Sequence, residues 1–170
     1  MTIQIDSREK ARAIKKIVAE FDRNNIEYFS SKLYVGDYMS LDNPRLIIDR
    51  KQNLSELCVN VCQDHDRFRA ELIRAMENNI QLVILVEHGD GIRSLEDVIF
   101  WQNPRRFKHV KGDGCVKLVE TKATTGQTLY HILSTMQRKY GVRYEFCTKE
   151  ETGRRIIEIL ESGMEGEQFA

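Results

Sequence analysis

The feature that most constrains the fold of this chain is the apolar run from Ile80 to Val86, IQLVILV. Its length and its β-branched and aliphatic side chains favour a strand over a helix. A strand that is apolar at nearly every position is buried on both faces, and such strands lie at the centre of a sheet with helices on either side. The run therefore predicts an α/β fold.

Other segments extend this pattern in both directions. Short apolar stretches predict strands at residues 2–6, 26–33, 35–41, 45–51 and 142–147. Apolar residues spaced three and four apart predict amphipathic helices, which we expect to begin near Ser7, Asn53, Asp64, Ser94, Thr125 and Thr148. Strands that alternate with helices predict a mixed sheet with helices on both faces.

The length of 170 residues is that of a single domain. Because there is no repeat and no low-complexity linker, we expect one domain over residues 1–170. Its core is predicted at about residues 2–161, followed by a short polar C-terminal tail.

Acidic residues lie at the ends of three early strands, at Asp6, Asp37 and Asp49. Three converging carboxylates repel one another unless a cation lies among them. Carboxylate oxygens suit Mg²⁺, and a cation beside a phosphodiester stabilises the charge that develops during hydrolysis. The pattern is typical of metal-assisted phosphodiester cleavage. A solvated strand edge with ordinary charged pairs is the alternative.

Two of these acids lie on a predicted hairpin. Asn43-Pro44 is a turn signal between the segments around Asp37 and Asp49. Side chains two apart on a strand share a face, so Asp49 and Lys51 point together while Arg50 points away.

The motifs IDSRE (residues 5–9), LYVGDY (33–38) and IIDRK (47–51) together resemble the nuclease domain of the XPF family of structure-specific endonucleases. That family belongs to the restriction-endonuclease-like PD-(D/E)xK group, and its pattern is G-D, a variable gap, E-R-K, three residues, then D. Here Asp49 replaces the glutamate and Ser55 the trailing acid, for which Glu56 could substitute. The resemblance implies a restriction-endonuclease-like mixed sheet and a metal-dependent DNA endonuclease acting on branched, flap or fork structures.

The resemblance also implies a catalytic set, namely Asp6, Glu9, Asp37, Asp49 and Lys51. Asp37 and Asp49 are the expected main ligands of Mg²⁺ or Mn²⁺, and Asp6 is the expected direct or water-mediated third ligand. Lys51 is expected to position or activate the attacking water, or to stabilise charge on the phosphorane. Glu9 is expected to orient the groups around the metal.

Basic side chains in several places are candidates for DNA contact. They are Arg8, Arg50, Arg67, Arg105, Arg106 and Lys108. The resemblance assigns phosphate contacts to Arg8 or Arg50 and places Arg67 on a helix behind the active site. In residues 104–111, cations surround Phe107, and such a stretch attracts phosphates while an exposed ring can stack on a base. Solvated surfaces remain the alternatives for Arg67 and for this loop.

Charge and motif content exclude several other classes. The 26 basic and 26 acidic residues cancel, so any DNA-binding surface must be local. There is no P-loop or dinucleotide fingerprint, and the four cysteines lack paired metal-ligand spacing. With no signal peptide and no apolar run near ~18 residues, we expect a cytoplasmic chain without a membrane span.

Association with a partner is a further expectation. Family members usually carry helix-hairpin-helix motifs after the nuclease domain, and only ten residues follow Leu160 here. We expect a homodimer, or a protein partner, built on the last two helices, because the final helix has a wide apolar face. That face comprises Ile156, Ile157, Ile159 and Leu160. A non-catalytic DNA-binding or partner subunit with the same fold is the alternative to an active nuclease.

Overall fold

A computed structural model of the chain describes residues 1–112 and 114–165, so most of the predicted polar tail lies outside the described residues. Within these ranges the chain forms eight strands, five α-helices and two short 3₁₀ helices. The elements are β1 (Thr2–Ile5), α1 (Ala11–Arg23), β2 (Glu27–Ser30), β3 (Tyr38–Ser40), β4 (Asn43–Lys51), α2 (Leu54–Cys62), α3 (His65–Glu77), β5 (Gln81–Glu87), the 3₁₀ helices Glu96–Phe100 and Pro104–Arg106, β6 (Phe107–Gly112), β7 (Cys115–Glu120), α4 (Gly126–Tyr140), β8 (Arg143–Cys147) and α5 (Thr152–Glu165).

Six strands form one mixed sheet in the order β2-β1-β3-β4-β5-β8. The pairs β1–β2, β4–β5 and β5–β8 are parallel, whereas β3 runs antiparallel to both β1 and β4. Strand β5 carries the apolar run and is buried from Leu82 onward between β4 and β8. The predicted burial of this strand inside the sheet is confirmed, but the strand is second from one edge and not at the centre, because only β8 lies beyond it.

Helices cover both faces of the sheet, as predicted. Helices α1 and α5 pack together on one face, and their apolar residues join Ile3, Ile48 and Leu85 in a buried cluster. Helices α2, α3 and α4 cover the other face, where a second cluster includes Ile47, Ile84 and Tyr144. Alternating side chains of β4 therefore enter two separate cores, as the pleat of a strand requires.

The predicted hairpin of β3 and β4 is present, with a different turn. Ser40 pairs directly with Asn43, so the connection is at residues 41–42 and Asn43-Pro44 already belongs to β4. The first helix also begins later than predicted. It starts at Ala11, because the backbone N–H of Glu9 donates to the carbonyl of Asp6 and forms a separate turn around Ser7.

The predicted dimer surface on α5 is wrong. The side chains of Ile156, Ile157, Ile159 and Leu160 are each 6% exposed or less and belong to the core shared with α1. Helix α5 contacts α1 and the sheet at once, so its apolar face must be wide to serve both. The width of that face reflects internal packing.

Residues 107–120 form a second, two-stranded sheet. Strands β6 and β7 pair antiparallel, from Phe107 opposite Glu120 to Gly112 opposite Cys115. Every described residue of the two strands is exposed. The segment is therefore an arm that projects from the domain.

None of the described helices is long and apolar enough to cross a bilayer.

Candidate active site

Strand β4 places Asp49 and Lys51 on the sheet face that α2 and α3 cover. Lys51 Nζ donates a 3.0 Å hydrogen bond to Asp49 Oδ1 and lies 2.8 Å from Asp49 Oδ2. Both side chains are buried, and the ammonium lies 5.5 Å from the centre of the Phe68 ring. The predicted pairing of these two side chains on one face is present.

Asp37 reaches the same place from the turn before β3. Its backbone N–H donates to the carbonyl of Ile48 at 2.8 Å, and its Oδ2 accepts the backbone N–H of Arg50 at 2.8 Å. Two bonds to β4 thus fix this carboxylate next to Asp49. Gly36 makes the approach feasible, since it has φ of 64° and a Cβ there would lie 2.6 Å from Ile47 Cγ2.

The electrostatics of this pair are those of two buried carboxyls in contact. Burial, and then the negative charge of Asp49, raise the pKa of Asp37 well above its ordinary value. Burial alone would lower the pKa of Lys51, but the negative charges around it, led by that of Asp49, together raise that pKa. Asp49 Oδ2 accepts no well-aligned hydrogen bond from the described residues.

A hard divalent cation fits this donor set. Mg²⁺ is commonly held by one or two carboxylates together with waters and substrate phosphates, and Asp37 and Asp49 supply two such groups. A cation beside them would also offset the repulsion that raises the pKa of Asp37. Among the described residues, no cluster of three or more His, Cys, Asp or Glu side chains is arranged to hold a metal.

The carboxylate of Asp6, the predicted third ligand, accepts hydrogen bonds from the protein on both of its oxygens. One oxygen accepts the backbone N–H and Nε of Arg8, at 2.8 and 2.6 Å, and the other accepts the backbone N–H of Leu33 at 2.6 Å. Burial would raise the pKa of Asp6, but these hydrogen bonds outweigh it and lower the pKa. The backbone N–H of Asp6 donates to the carbonyl of Asp37 at 2.8 Å, so Asp6 is a neighbour of the acid pair. Both oxygens of its carboxylate are nevertheless bound within the protein, by Arg8 and Leu33.

Arg50 and Glu9 lie on the opposite face of the sheet. Arg50 contacts Glu9 Oε2 through Nη2 at 2.8 Å and Glu87 Oε1 through Nη1 at 3.0 Å, and its side chain is 3% exposed. Glu9 also accepts the hydroxyl of Tyr38 at 2.8 Å. A buried guanidinium between two carboxylates has no free face for a phosphate. The structure thus separates Arg50 from the acids of the site, as the alternation of β4 requires.

A polar cleft of about 210 Å³ opens beside Lys51. Arg67 and Glu71 of α3 line it, together with Glu56 of α2. Glu56, the predicted substitute for the trailing acid, accepts the backbone N–H of Gln52 at 2.7 Å, so its carboxylate also holds the start of α2. The exposed Arg67 lies where a phosphate in the cleft would need a cation.

Glu71 is a site residue that the sequence analysis did not select. Its Oε1 accepts the backbone N–H of Gly36 at 3.0 Å, so α3 holds the turn that carries Asp37. The sequence did contain a signal for Glu71. It lies three residues after the apolar Phe68 and therefore on the same, inward face of α3. Glu87, the buried partner of Arg50, was also missed. It directly follows the apolar run, and in sequence a single acid there looks like an exposed strand end.

The remaining basic candidates lie at different distances from the two carboxylates. Arg8 is more than half exposed and pairs with Asp6, which raises its pKa, and the negative charges of Asp37 and Glu71 add to this shift, so Arg8 lies near the site. Arg105 and Arg106 form the base of the β6–β7 arm, where Arg106 pairs with Glu120 at 2.6 Å, and Lys108 lies on β6. Arg105 also lines a pocket with Ser55 and Cys58 of α2. These side chains are placed on the surface, as DNA contacts require.

The fold resembles that of XPF from Aeropyrum pernix. The two structures share 16% sequence identity and a TM-score of 0.64, and the match covers 96% of this chain and 65% of that one. A structure of XPF from Aeropyrum pernix in complex with DNA matches with the same identity and TM-score, over 97% and 66% of the two chains. The chain therefore spans about two thirds of the length of these proteins, and the match confirms the predicted fold.

A search of curated proteins finds no match. The family model of the ERCC4 domain, however, matches residues 5–159, which include every acid of the site and the strands and helices that hold them. The resemblance carried by the three short motifs thus extends over nearly the whole described domain. The chain belongs to the ERCC4 domain family.

Proposed function

We propose that this chain is a divalent-metal-dependent DNA endonuclease that hydrolyses phosphodiester bonds at branched, flap or fork structures. The observation that supports it most is the buried pair of Asp37 and Asp49 with the ammonium of Lys51 at 3.0 Å. Burying two acids side by side is costly in a structural core and useful where they hold a cation. DNA as the substrate is supported by family membership and by the similar XPF structure in complex with DNA.

In this proposal Asp37 and Asp49 hold Mg²⁺ or Mn²⁺, which when bound supplies positive charge that stabilises the phosphorane. Asp37 is held in position by the backbone of β4 and by the turn that Glu71 pins. Lys51 orients the carboxylate of Asp49 and offers its remaining N–H groups to a phosphate oxygen or to the attacking water.

The other predicted residues take supporting roles. Asp6 fixes the loop at Leu33, and Glu9 fixes Arg50 between the strands. Arg8, Arg67, Arg105, Arg106 and Lys108 are proposed to contact DNA phosphates, because each lies on the surface or at the rim of the cleft. A homodimer or protein partner remains part of the proposal, and sedimentation at increasing concentration tests it.

The decisive experiment incubates flap, fork and plain duplex DNA with the wild-type chain in Mg²⁺ or Mn²⁺. We expect cleavage near the junction of the flap and fork substrates. Asp37→Asn removes a proposed ligand while keeping the shape of the side chain, so it should bind DNA without cutting it. Cleavage by Asp37→Asn at the wild-type rate would show that the assigned site is wrong.

A non-catalytic DNA-binding or partner subunit is the second candidate. It is favoured by the commitment of Asp6 to Arg8 and Leu33 and by the lack of a three-residue metal cluster among the described residues. This candidate predicts binding to branched DNA with no cleavage in either metal. The same incubation, paired with a binding assay, separates the two functions.

A further inference from the structure

A second cavity, of about 450 Å³, lies on the other side of the start of α2. Ser55 lines this cavity, while the next residue, Glu56, lines the polar cleft beside Lys51. The remaining walls come from the loop after β5 and from residues 100–104. We call it the Phe100 cavity.

The apolar wall of the Phe100 cavity is aromatic. Ile92 and Trp101 are buried and line it, whereas Phe100, which also lines it, is 74% exposed. Phe100 is the most exposed of the large apolar side chains in the described part of the chain. An exposed ring next to a buried indole is a platform on which a flat aromatic ligand can stack.

Another part of the cavity wall is polar. Ser55, His88 and Gln102 line the cavity together with the carboxylate of Asp90, and the side chains of the first three make no hydrogen bond with any described residue. Burial lowers the pKa of His88, against the opposing charge of Asp90, and this favours the neutral imidazole, which presents one donor and one acceptor. Together the three side chains offer several donors and acceptors to the edge of a ligand.

The aromatic wall is held firmly in place. Asn103 donates to the carbonyl of Thr124 at 2.8 Å and accepts the backbone N–H of Arg105 at 3.0 Å, which fixes the chain just after Trp101. At the start of α4, a Cβ on Gly126 would lie 2.5–2.8 Å from the carbonyls of Val98, Ile99 and Trp101. The backbone that carries Phe100 therefore packs directly on α4.

The cavity lies close to the proposed scissile position. Lys51 ends β4, and Asn53, which lines the cavity, follows two residues later. Two extended residues span at most about 7 Å, which corresponds to roughly two nucleotides along a DNA strand. On the neighbouring strand, Val86 pairs with Lys51 and His88 follows by the same two residues.

We propose that the Phe100 cavity receives one unpaired base of the DNA, stacked on Phe100 and hydrogen-bonded through the polar wall, one or two nucleotides from the cut. A nucleobase is a flat ring with donors and acceptors on its edge, which matches a cavity lined by aromatic rings together with Ser55, His88 and Gln102. This inference rests on the proposed function. It also gives that function a physical basis for junction preference, because a base next to a junction enters the cavity without breaking a base pair.

The test uses the full chain carrying Asp37→Asn, which should bind without cutting, and flap DNA with 2-aminopurine at each of the first unpaired positions in turn. We expect the fluorescence of one position to fall on binding, since stacking on Phe100 quenches it. Adding Phe100→Ala should abolish that change and raise Kd about tenfold, the size expected when a base has no ring to stack on. Ile99→Ala, an exposed neighbour that does not line the cavity, is the matched control.

Each outcome has a separate meaning. A position-specific change that Phe100→Ala removes and Ile99→Ala keeps supports the proposal. Binding and wild-type cleavage with no responsive position, or with a response that survives Phe100→Ala, overturns the proposal and leaves the nuclease function intact. A wild-type chain that neither binds nor cuts any of these DNAs overturns the proposed function and this inference with it.

Discussion

Arg50 Nη1 donates to Glu87 Oε1 over 3.0 Å, which joins neighbouring strands β4 and β5 on the face that α5 covers. The same guanidinium binds Glu9 and ties the segment before α1 to the sheet. Thr152 of α5 donates to the same oxygen of Glu87. The middle residue of the D-R-K motif therefore belongs to a buried ionic network behind the two carboxylates.

Arg50→Ala is expected to destabilise the fold. Removing one partner of a buried ion pair leaves the others uncompensated, which costs about 3–5 kcal/mol. The free energy of unfolding in urea measures this loss, and Arg45→Ala, an exposed arginine on the same strand, should change it by less than about 0.5 kcal/mol. An Arg50→Ala chain as stable as the wild type, yet weaker in DNA binding, would restore the phosphate contact predicted from the sequence.

The two acids of the site should respond differently to neutralisation. Asp37→Asn removes a buried like charge, so the melting temperature without metal should hold or rise. Asp49→Asn leaves the ammonium of Lys51 without its carboxylate, so it should destabilise by about 1–3 kcal/mol. Both should abolish cleavage. Calorimetry in a chelating buffer makes the comparison, and equal effects on stability would contradict the assigned pairing of Asp49 with Lys51.

Local patterns predicted most of the fold because the sheet and its helices follow simple periodicities. The apolar run that became β5 and the face shared by Asp49 and Lys51 depend on spacing alone. The α5 residues Ile157 and Ile159 were misjudged for a different reason: a wide apolar face is the same in sequence whether a partner or the chain's own α1 covers it. Only the tertiary packing distinguishes the two cases.

The site was predicted less completely, since residues far apart in sequence complete it. Asp6 ends a strand as predicted, yet its oxygens bind Arg8 and Leu33. No periodicity indicates that the loop at Leu33 returns to β1. Glu71 reaches Gly36 from a helix 35 residues away, and such a contact is specified only when α3 packs on the sheet.

The arm of β6 and β7 should supply local positive charge to DNA binding. Replacing Arg105, Arg106 and Lys108 with alanine should weaken binding to all sequences and flatten the slope of log K against log salt, by up to ~0.9 for each phosphate that is no longer neutralised. The control replaces three exposed cations of α1, Arg12, Lys15 and Lys16, on the other side of the sheet. If both triple variants change the slope equally, the arm has no special role.

The start of α5 should respond to acid. Glu151 accepts the backbone N–H and hydroxyl of Thr148 at 2.7 and 2.9 Å and pairs with Arg93 at 2.8 Å. These contacts, led by the backbone N–H of Thr148, lower the pKa of Glu151 from 4.5 to about 2. A depressed acidic pKa stabilises the fold above the unfolded value, and that stabilisation is lost as pH falls through the folded value.

Glu151→Gln should therefore lower the melting temperature at neutral pH. The difference in melting temperature from wild type should shrink as the pH falls from 4.5 to about 2. Glu150→Gln, on the exposed neighbour, controls for the general loss of a carboxylate. Melting curves of the three chains across this range give the result. A difference that stays constant with pH would mean that Glu151 is not charged in its contacts with Thr148 and Arg93.

Glu71 is expected to act as a positioning residue for Asp37. Its carboxylate holds Gly36 by a 3.0 Å bond, and the adjacent Asp37 is fixed by the carbonyl of Ile48. Glu71→Ala frees the turn, and a displacement of about 1 Å at a catalytic group can cost about 10²-fold in rate. Glu71→Gln retains an acceptor for the Gly36 N–H, so it should keep most of the activity.

Single-turnover cleavage with saturating flap DNA measures these variants, and the binding constant is measured separately with chelated metal. We expect Glu71→Ala to lower the cleavage rate while leaving the Kd for DNA nearly unchanged, because Glu71 holds the Gly36 turn and, as an acid, offers no cation to a phosphate. Glu77→Ala, exposed at the end of the same helix, should behave as wild type. Equal losses in Glu71→Ala and Glu71→Gln would show that Glu71 acts through its charge, on Lys51 or Arg8, and not through the Gly36 turn.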